Sequence, residues 1–102
     1  MDPSIEMHRE QLRALCSRFQ VKKLELFGSG GRPDFDPARS DLDFLVEFLD
    51  LEEGTYADTY FGLLESLEQL FGRHVDLVMP SAIRNPYFLK NIERSRQLLY
   101  AA

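Results

Sequence analysis

The sequence predicts a small domain of the α/β (α+β) class, in which helices pack on a mixed sheet of about four strands. Two observations lead to this fold class. Apolar residues recur at helical spacing over residues 4–19 and 55–71, and they alternate with polar residues in short stretches between and after these segments. The 102 residues are 44% apolar, which is enough for one hydrophobic core. We therefore expect one domain over residues 1–102.

The elements of the first half are separated by clear breaks. A helix over residues 4–19 leads into a short strand that ends at Gly28. Residues 28–40 are rich in Gly, Pro, Asp and Ser, which indicates a loop. A second strand over residues 41–48 has an apolar face that comprises Leu42, Phe44, Val46 and Phe48. Its other face carries Asp41, Asp43, Leu45 and Glu47.

The second half continues with helix and strand in turn. Thr55 is the predicted N-cap of a second helix, which Gly72 ends. The apolar stripe of this helix comprises Tyr60, Leu63, Leu64, Leu67, Leu70 and Phe71. In the third strand the inward side chains are those of Val75, Leu77 and Met79, and the outward ones are those of His74, Asp76 and Val78. We further expect a helix over residues 86–95 and a short last strand over residues 97–100.

Charge is distributed unevenly along the chain. The net charge of −5 argues against direct binding to nucleic acid, because phosphate contacts need clustered Lys and Arg. Residues 1–80 carry a net charge of −8. Residues 81–102 carry +3, from Arg84, Lys90, Arg94 and Arg96 against Glu93. This positive segment either faces a triphosphate or an acidic partner, or it forms a solvated helix face.

Neither a membrane span nor a secretory signal is expected. No apolar run approaches the roughly 20 residues that cross a bilayer, and the first residues lack the pattern of a signal peptide. We therefore expect the chain in the cytoplasm. The single cysteine, Cys16, lies at an apolar helical position, which favours a buried structural thiol over a reactive one. We expect His8, on the same helix, to be a structural side chain as well.

Three aspartates are the most informative feature of the sequence. Asp41 and Asp43 open a half-buried strand and project from one face, with their Cβ atoms about 7 Å apart. Asp76 has the parity to share that face from a neighbouring strand. Crowded ionised carboxylates repel one another, so stability alone does not explain them. Because Mg²⁺ binds carboxylate and phosphate oxygens, the three aspartates predict a metal site.

A glycine-rich turn precedes these acids. Gly28 and Ser29 follow the first strand, where exposed backbone N–H groups and a hydroxyl can bind phosphate. Arg32 either contacts the phosphates or pairs with an aspartate of the same loop. Gly-Ser alone is a weak signal, but it is followed eleven residues later by Ser40, directly before Asp41. This combination is specific.

Together these residues resemble the minimal nucleotidyltransferases (MNT type) of the DNA polymerase β superfamily. The matching positions are Gly28, Ser29, Gly31, Arg32, Ser40, Asp41, Asp43 and Asp76. The resemblance extends over essentially the whole chain and implies a polymerase-β-like nucleotidyltransferase fold. Where the group commonly has Ala-Arg-Gly, this chain has Gly31-Arg32-Pro33.

The resemblance implies transfer of a nucleoside monophosphate from ATP with two Mg²⁺ ions. Asp41 and Asp43 would hold both ions, and Asp76 would complete the site of the catalytic ion and help to deprotonate the incoming hydroxyl. Gly28 and Ser29 would bind the triphosphate, with Arg32 and Ser40 as further nucleotide-binding residues. His74 shares the face of Asp76 and lies either at the edge of this site or in solvent.

The resemblance also implies a partner. Proteins of this type are paired with a small helical HEPN-domain toxin, and they act as antitoxins that attach AMP to a tyrosine of the toxin in a hetero-oligomer. Two alternatives stay open at this point. One is a binding module that neutralises its partner by contact alone. The other is a transferase that acts on RNA or a small molecule.

Overall fold

The computed structural model describes residues 3–27, 42–80 and 96–102. The elements are α1 (Pro3–Met7), α2 (Arg9–Arg18), β1 (Val21–Phe27), β2 (Leu42–Phe48), α3 (Tyr56–Phe71), β3 (Val75–Val78) and β4 (Gln97–Ala101). The loop predicted over residues 28–40 and the helix predicted over residues 86–95 lie outside the described residues. Within the described ranges, no helix is long and apolar enough to cross a membrane.

The helix predicted over residues 4–19 is present as two helices. The backbone leaves helical geometry at His8, with φ −112° and ψ 21°, so α1 and α2 are separated by one residue. The His8 Nδ1 atom lies 2.8 Å from the carbonyl oxygen of Ser4, and its ring packs edge-on against Phe71 at 5.7 Å between centroids. These contacts confirm that His8 has a structural role.

The two ends of α3 lie at the predicted residues, but Thr55 does not cap the helix with its side chain. Gly72 ends the helix in the left-handed conformation, with φ 65°, and donates its N–H to the carbonyl of Glu68. Thr55 occupies the N-cap position, but its hydroxyl does not cap the helix. Its backbone is already helical, with φ −99° and ψ −4°, and the hydroxyl donates to the carbonyl oxygen of Glu52 at 2.7 Å.

The four strands form one mixed sheet in the order β3-β2-β1-β4. β1 pairs antiparallel with β2 and with β4, whereas β2 pairs parallel with β3 through the crossover helix α3. One face of the sheet packs against α2 and α3. The strand side chains buried there include Leu24, Leu26, Leu42, Phe44, Val46, Val75 and Leu77. The predicted alternation of β2 and β3 is therefore confirmed.

The opposite face of the sheet carries a separate apolar cluster. Phe27 and Leu45 are buried there, with Val78 packed against them. Leu45 lies in register between Glu25 on β1 and Val78 on β3, so the cluster runs across the three strands. Asp43 precedes Leu45 by two residues on the same face, as the sequence predicted.

Glu25 is the only buried charged residue in the described ranges, and Arg96 neutralises it. The guanidinium donates two hydrogen bonds of 2.7 Å to the two carboxylate oxygens, and the Lys23 ammonium lies 3.3 Å from one of them. The Arg96 hydrogen bonds outweigh burial and lower the pKa of Glu25. Neither alternative for the positive segment, a surface facing a triphosphate or an acidic partner or a solvated helix face, describes Arg96, because its guanidinium pairs with Glu25 inside the protein.

Cys16 confirms the prediction of a structural thiol. Its side chain projects from α2 into the core and is fully buried, and this burial raises the pKa of the thiol to about 12. A thiol with this pKa carries almost no thiolate near neutral pH and is not a nucleophile.

The Glu25–Arg96 pair predicts a pH-dependent loss of stability in Arg96→Met. Removing the cation leaves a buried carboxylate with less compensation, so we expect a loss of about 2 kcal/mol at pH 7, less than for a fully buried pair because Arg96 is partly exposed. Because the pKa of Glu25 is lower in the folded state than in the unfolded state, the pair stabilises the fold at pH values above the unfolded-state pKa. This stabilisation is lost as the pH falls through the folded-state pKa. Urea unfolding should therefore show a difference in the free energy of unfolding between the wild type and Arg96→Met that is smaller at pH 3 than at pH 7.

Lys22→Met is the matched control for this measurement, because Lys22 is an exposed cation on β1, the strand that carries Glu25. It should leave the free energy of unfolding within about 0.5 kcal/mol of the wild type. Equal stabilities of the Arg96 variant and the wild type at pH 7 would contradict the assigned role of the pair.

Candidate active site

Two of the predicted site residues face each other across the parallel strand pair. Asp43 on β2 lies directly in register with Asp76 on β3. Adjacent strands are about 4.8 Å apart, so the two carboxylates start close enough to share one ion. Asp43 is half-buried and Asp76 is exposed, which leaves the pair open to solvent on the side of the sheet opposite α2 and α3.

The residues on either side of the aspartates explain this placement. Leu42 and Phe44 are fully buried on the helix side of the sheet, which directs Asp43 to the other side. Val75 and Leu77 do the same for Asp76, with exposed fractions of 3% and 5%. A slip of one residue would turn these apolar side chains to solvent, so core packing also determines the register of the two carboxylates.

Like charges directly opposite each other on neighbouring strands destabilise a sheet. A divalent cation reverses this effect, because hard ions bind several carboxylate oxygens at once. Asp43 and Asp76 supply oxygen donors from two strands and therefore fit Mg²⁺. Among residues 3–27, 42–80 and 96–102, no group of three His, Cys, Asp or Glu side chains could hold a metal ion. Asp41, the third predicted ligand, lies outside these ranges.

His74 lies beside Asp76 at the edge of the pair. Its Nδ1 atom is 3.8 Å from the Asp76 Oδ1 atom, and both side chains are more than half exposed. This distance exceeds that of a hydrogen bond, so the interaction is at most a weak ion pair when the imidazole is protonated. His74 is therefore both exposed to solvent and close to Asp76, and its role at the edge of the site stays a prediction.

The remaining predicted residues, Gly28, Ser29, Arg32, Ser40 and Asp41, lie outside the described residues. Their segment is nevertheless bounded on both sides by described strands. β1 ends at Phe27, which lies opposite Asp43 in the antiparallel pairing, and β2 begins at Leu42. The chain therefore leaves β1 immediately beside the carboxylate pair.

Sequence reasoning missed two side chains of α3 that contact the strand of Asp76. The Tyr60 hydroxyl donates a hydrogen bond to the carbonyl oxygen of Leu77, and a Glu68 carboxylate oxygen accepts the N–H of Val75 at 3.2 Å. The sequence pattern placed Tyr60 in the apolar stripe of this helix and assigned no hydrogen bond to it. The sequence signal that could have indicated these contacts is Glu68, a charged residue directly after Leu67, which is fully buried.

Tyr60 is also electrostatically linked to the site. Burial, followed by the negative charge of Asp76 and by Tyr56, raises the pKa of its phenol. The hydroxyl therefore keeps its proton, and with it the hydrogen bond to Leu77, over the working pH range. The phenol is thus a permanent donor near Asp76.

A mixed sheet with helices on one face and paired carboxylates on the other is an arrangement suited to metal-dependent transfer chemistry. The profile of the family described as "Nucleotidyltransferase domain" matches residues 8–99. The chain therefore belongs to the nucleotidyltransferase domain family, and its class of activity is nucleotidyl transfer.

Individual relatives place it further within this family. It is 36% identical over 88 residues, 86% of each chain, to a provisionally named protein adenylyltransferase of Methanocaldococcus jannaschii. A solved structure described provisionally as a minimal nucleotidyltransferase has 32% identity and a TM-score of 0.73, with 95% of each chain covered. The predicted resemblance to minimal nucleotidyltransferases and the predicted fold class are therefore confirmed.

A more distant solved structure shares the fold. It contains an MNT antitoxin in complex with a tri-AMPylated HEPN toxin of Shewanella oneidensis. The identity is 16%, the TM-score is 0.62, and the match covers 95% of this chain and 72% of the other.

The facing carboxylates predict a specific coupling between two substitutions in metal-free buffer. Asp76→Asn should stabilise the wild type by roughly 0.5 kcal/mol more than it stabilises the Asp43→Asn variant, because only the wild type has the cross-strand repulsion to lose. Thermal or urea unfolding in EDTA measures this double-mutant cycle. A coupling of the opposite sign would show that the two aspartates attract each other through a shared structural hydrogen bond, which would contradict this interpretation.

Proposed function

We propose that this chain is a Mg²⁺-dependent protein adenylyltransferase that transfers AMP from ATP to a tyrosine hydroxyl of a HEPN-domain toxin, and that it acts as the toxin's antitoxin. The observation that carries the proposal is the in-register pair of Asp43 and Asp76 on the open face of a nucleotidyltransferase sheet. The named activity of the Methanocaldococcus jannaschii relative and the toxin complex of the Shewanella oneidensis structure support the choice of acceptor.

Each site residue has a distinct task in this proposal. Asp41, Asp43 and Asp76 would hold two Mg²⁺ ions, and the bound ions would supply activation of the attacking oxygen and charge stabilisation of the leaving pyrophosphate. Asp76 also accepts the proton of the incoming hydroxyl. Gly28 and Ser29 bind the triphosphate, and Arg32 and Ser40 contribute to nucleotide binding. The protein supplies position and charge, with no covalent intermediate on the enzyme.

The exposure of the site is consistent with a macromolecular acceptor. The Asp76 side chain is 54% exposed, and the carboxylate pair lies on the sheet face away from α2 and α3. A tyrosine on the surface of another protein can approach a carboxylate that is exposed to this extent. The partner's binding then supplies the orientation that a closed pocket would give to a small acceptor.

The direct test is the intact mass of the partner encoded next to this chain after incubation with ATP and Mg²⁺. We expect a gain of one or more AMP masses with the wild type and at least a 100-fold slower gain with Asp76→Asn, because a metal ligand is lost. Asp58→Asn is the matched control, since Asp58 is an exposed aspartate in the first turn of α3, and it should modify the partner at the wild-type rate. A stable complex without any mass change would favour the binding module that acts by contact alone.

Nucleotide binding is tested separately from transfer. Mg²⁺ with ATP at 100 times the dissociation constant should stabilise the fold by about 2.7 kcal/mol. Ser29→Ala should weaken this stabilisation, because a phosphate-binding hydroxyl is removed, whereas Ser66→Ala on α3 should not. Thermal melts with and without Mg²⁺-ATP measure both effects. The absence of any shift at millimolar ATP would contradict the proposed activity.

A further inference from the structure

The outer edge of β3 is where the fold controls the position of Asp76. Successive residues of a strand direct their backbone N–H and C=O groups alternately to one neighbour and to the other side. The His74 carbonyl accepts the N–H of Leu42 on β2, at 3.2 Å. His74, Asp76 and Val78 therefore face β2 with their backbone groups, whereas Val75 and Leu77 direct theirs away from the sheet.

Two side chains of α3 hydrogen-bond to those outward groups. Glu68 accepts the Val75 N–H at 3.2 Å, and the Tyr60 hydroxyl donates to the Leu77 carbonyl. Tyr60 and Glu68 are eight residues apart, slightly more than two helical turns, so both side chains leave the helix toward the same strand. They contact the residues immediately before and immediately after Asp76.

We propose that Tyr60 and Glu68 are positioning residues, which hold the backbone of Asp76 from both sides and thereby keep its carboxylate opposite Asp43. The inference rests on the proposed function, because it assigns the purpose of this placement to metal binding. Neither side chain is assigned a contact with the nucleotide or the reacting atoms.

The shortness of β3 explains why these two hydrogen bonds, from Tyr60 and to Glu68, are needed to hold Asp76 in place. β3 has four residues and, among the described elements, pairs with β2 alone. A metal site loses affinity when a ligand moves by a fraction of an ångström, and partners behind the ligands prevent that movement. A hydrogen bond to an ionised carboxylate, as at Glu68, is stronger than one between neutral groups.

The chain offers matched variants for a test. Tyr60→Phe removes the hydroxyl alone, and Tyr100→Phe removes a hydroxyl from β4 at the opposite edge of the sheet. Glu68→Ala removes the carboxylate that accepts the hydrogen bond of the Val75 N–H. Glu68→Gln retains an oxygen acceptor for this N–H and should therefore restore metal binding at least in part. Glu65→Ala is the control on the exposed side of α3.

The measurements are the dissociation constant for Mn²⁺ by calorimetry, with an uncleavable ATP analogue present, and the deuterium exchange rate of the Val75 amide. We expect about 10-fold weaker Mn²⁺ binding in Tyr60→Phe and in Glu68→Ala. The two controls should stay within about twofold of the wild type, because they leave both hydrogen bonds to β3 in place. Glu68→Gln should bind Mn²⁺ more tightly than Glu68→Ala, because its neutral amide oxygen still accepts the Val75 N–H, although more weakly than the carboxylate. The Val75 amide should exchange faster in Glu68→Ala only.

The outcomes separate this inference from the proposed function. Wild-type protein that binds no Mn²⁺ would overturn the proposed function and the positioning role with it. Wild type that binds Mn²⁺ and transfers AMP, together with variants that bind Mn²⁺ equally well, would overturn the positioning role alone. A lower melting temperature and faster Val75 exchange with unchanged Mn²⁺ affinity would mean that the two hydrogen bonds serve stability only.

Discussion

The parallel pairing of β2 with β3 is the interaction on which the rest of the site depends. It brings together two residues that are separated by 33 positions and a whole helix, Asp43 and Asp76. Its register is determined on the other face of the sheet, where Leu42, Phe44, Val75 and Leu77 pack into the core. The hydrophobic effect thus supplies the precision that the carboxylates, which repel each other, cannot supply themselves.

The two faces of the sheet divide the work of stability and function. The face against α2 and α3 contains the main core, and the opposite face combines a small apolar cluster, the buried Glu25 with its partner Arg96, and the two aspartates Asp43 and Asp76. Charges on that second face are treated in two ways. Glu25 pairs with Arg96, and Asp43 and Asp76 carry like charges at positions directly opposite each other on neighbouring strands. Repulsion that the fold tolerates in this way is typical of functional sites.

Local pattern in the sequence was sufficient for some features and insufficient for others. Alternation of apolar residues placed Asp43 and Asp76 on one face correctly, because the period of a strand is two and burial enforces it. The sequence also predicted that the strand of Asp76 neighbours that of Asp43. The complete strand order and the direction of each pairing were not predicted, since they depend on contacts between distant residues. The break at His8 and the missing Thr55 cap were also missed, because each depends on backbone angles of single residues.

Arg96 shows most clearly why a count of charges along the chain misleads. In sequence it closes a basic segment, and its nearest opposite charge is Glu93. In the fold its partner is Glu25, 71 residues away, because the antiparallel pairing of β4 with β1 brings the start of β4 to that carboxylate. A buried carboxylate needs an opposite charge beside it, whereas a solvated cation needs no partner. The pairing is therefore required by the burial of Glu25 and not by the charge of Arg96. A reliable assignment of surface charges to a ligand therefore requires that the buried opposite charges are matched first.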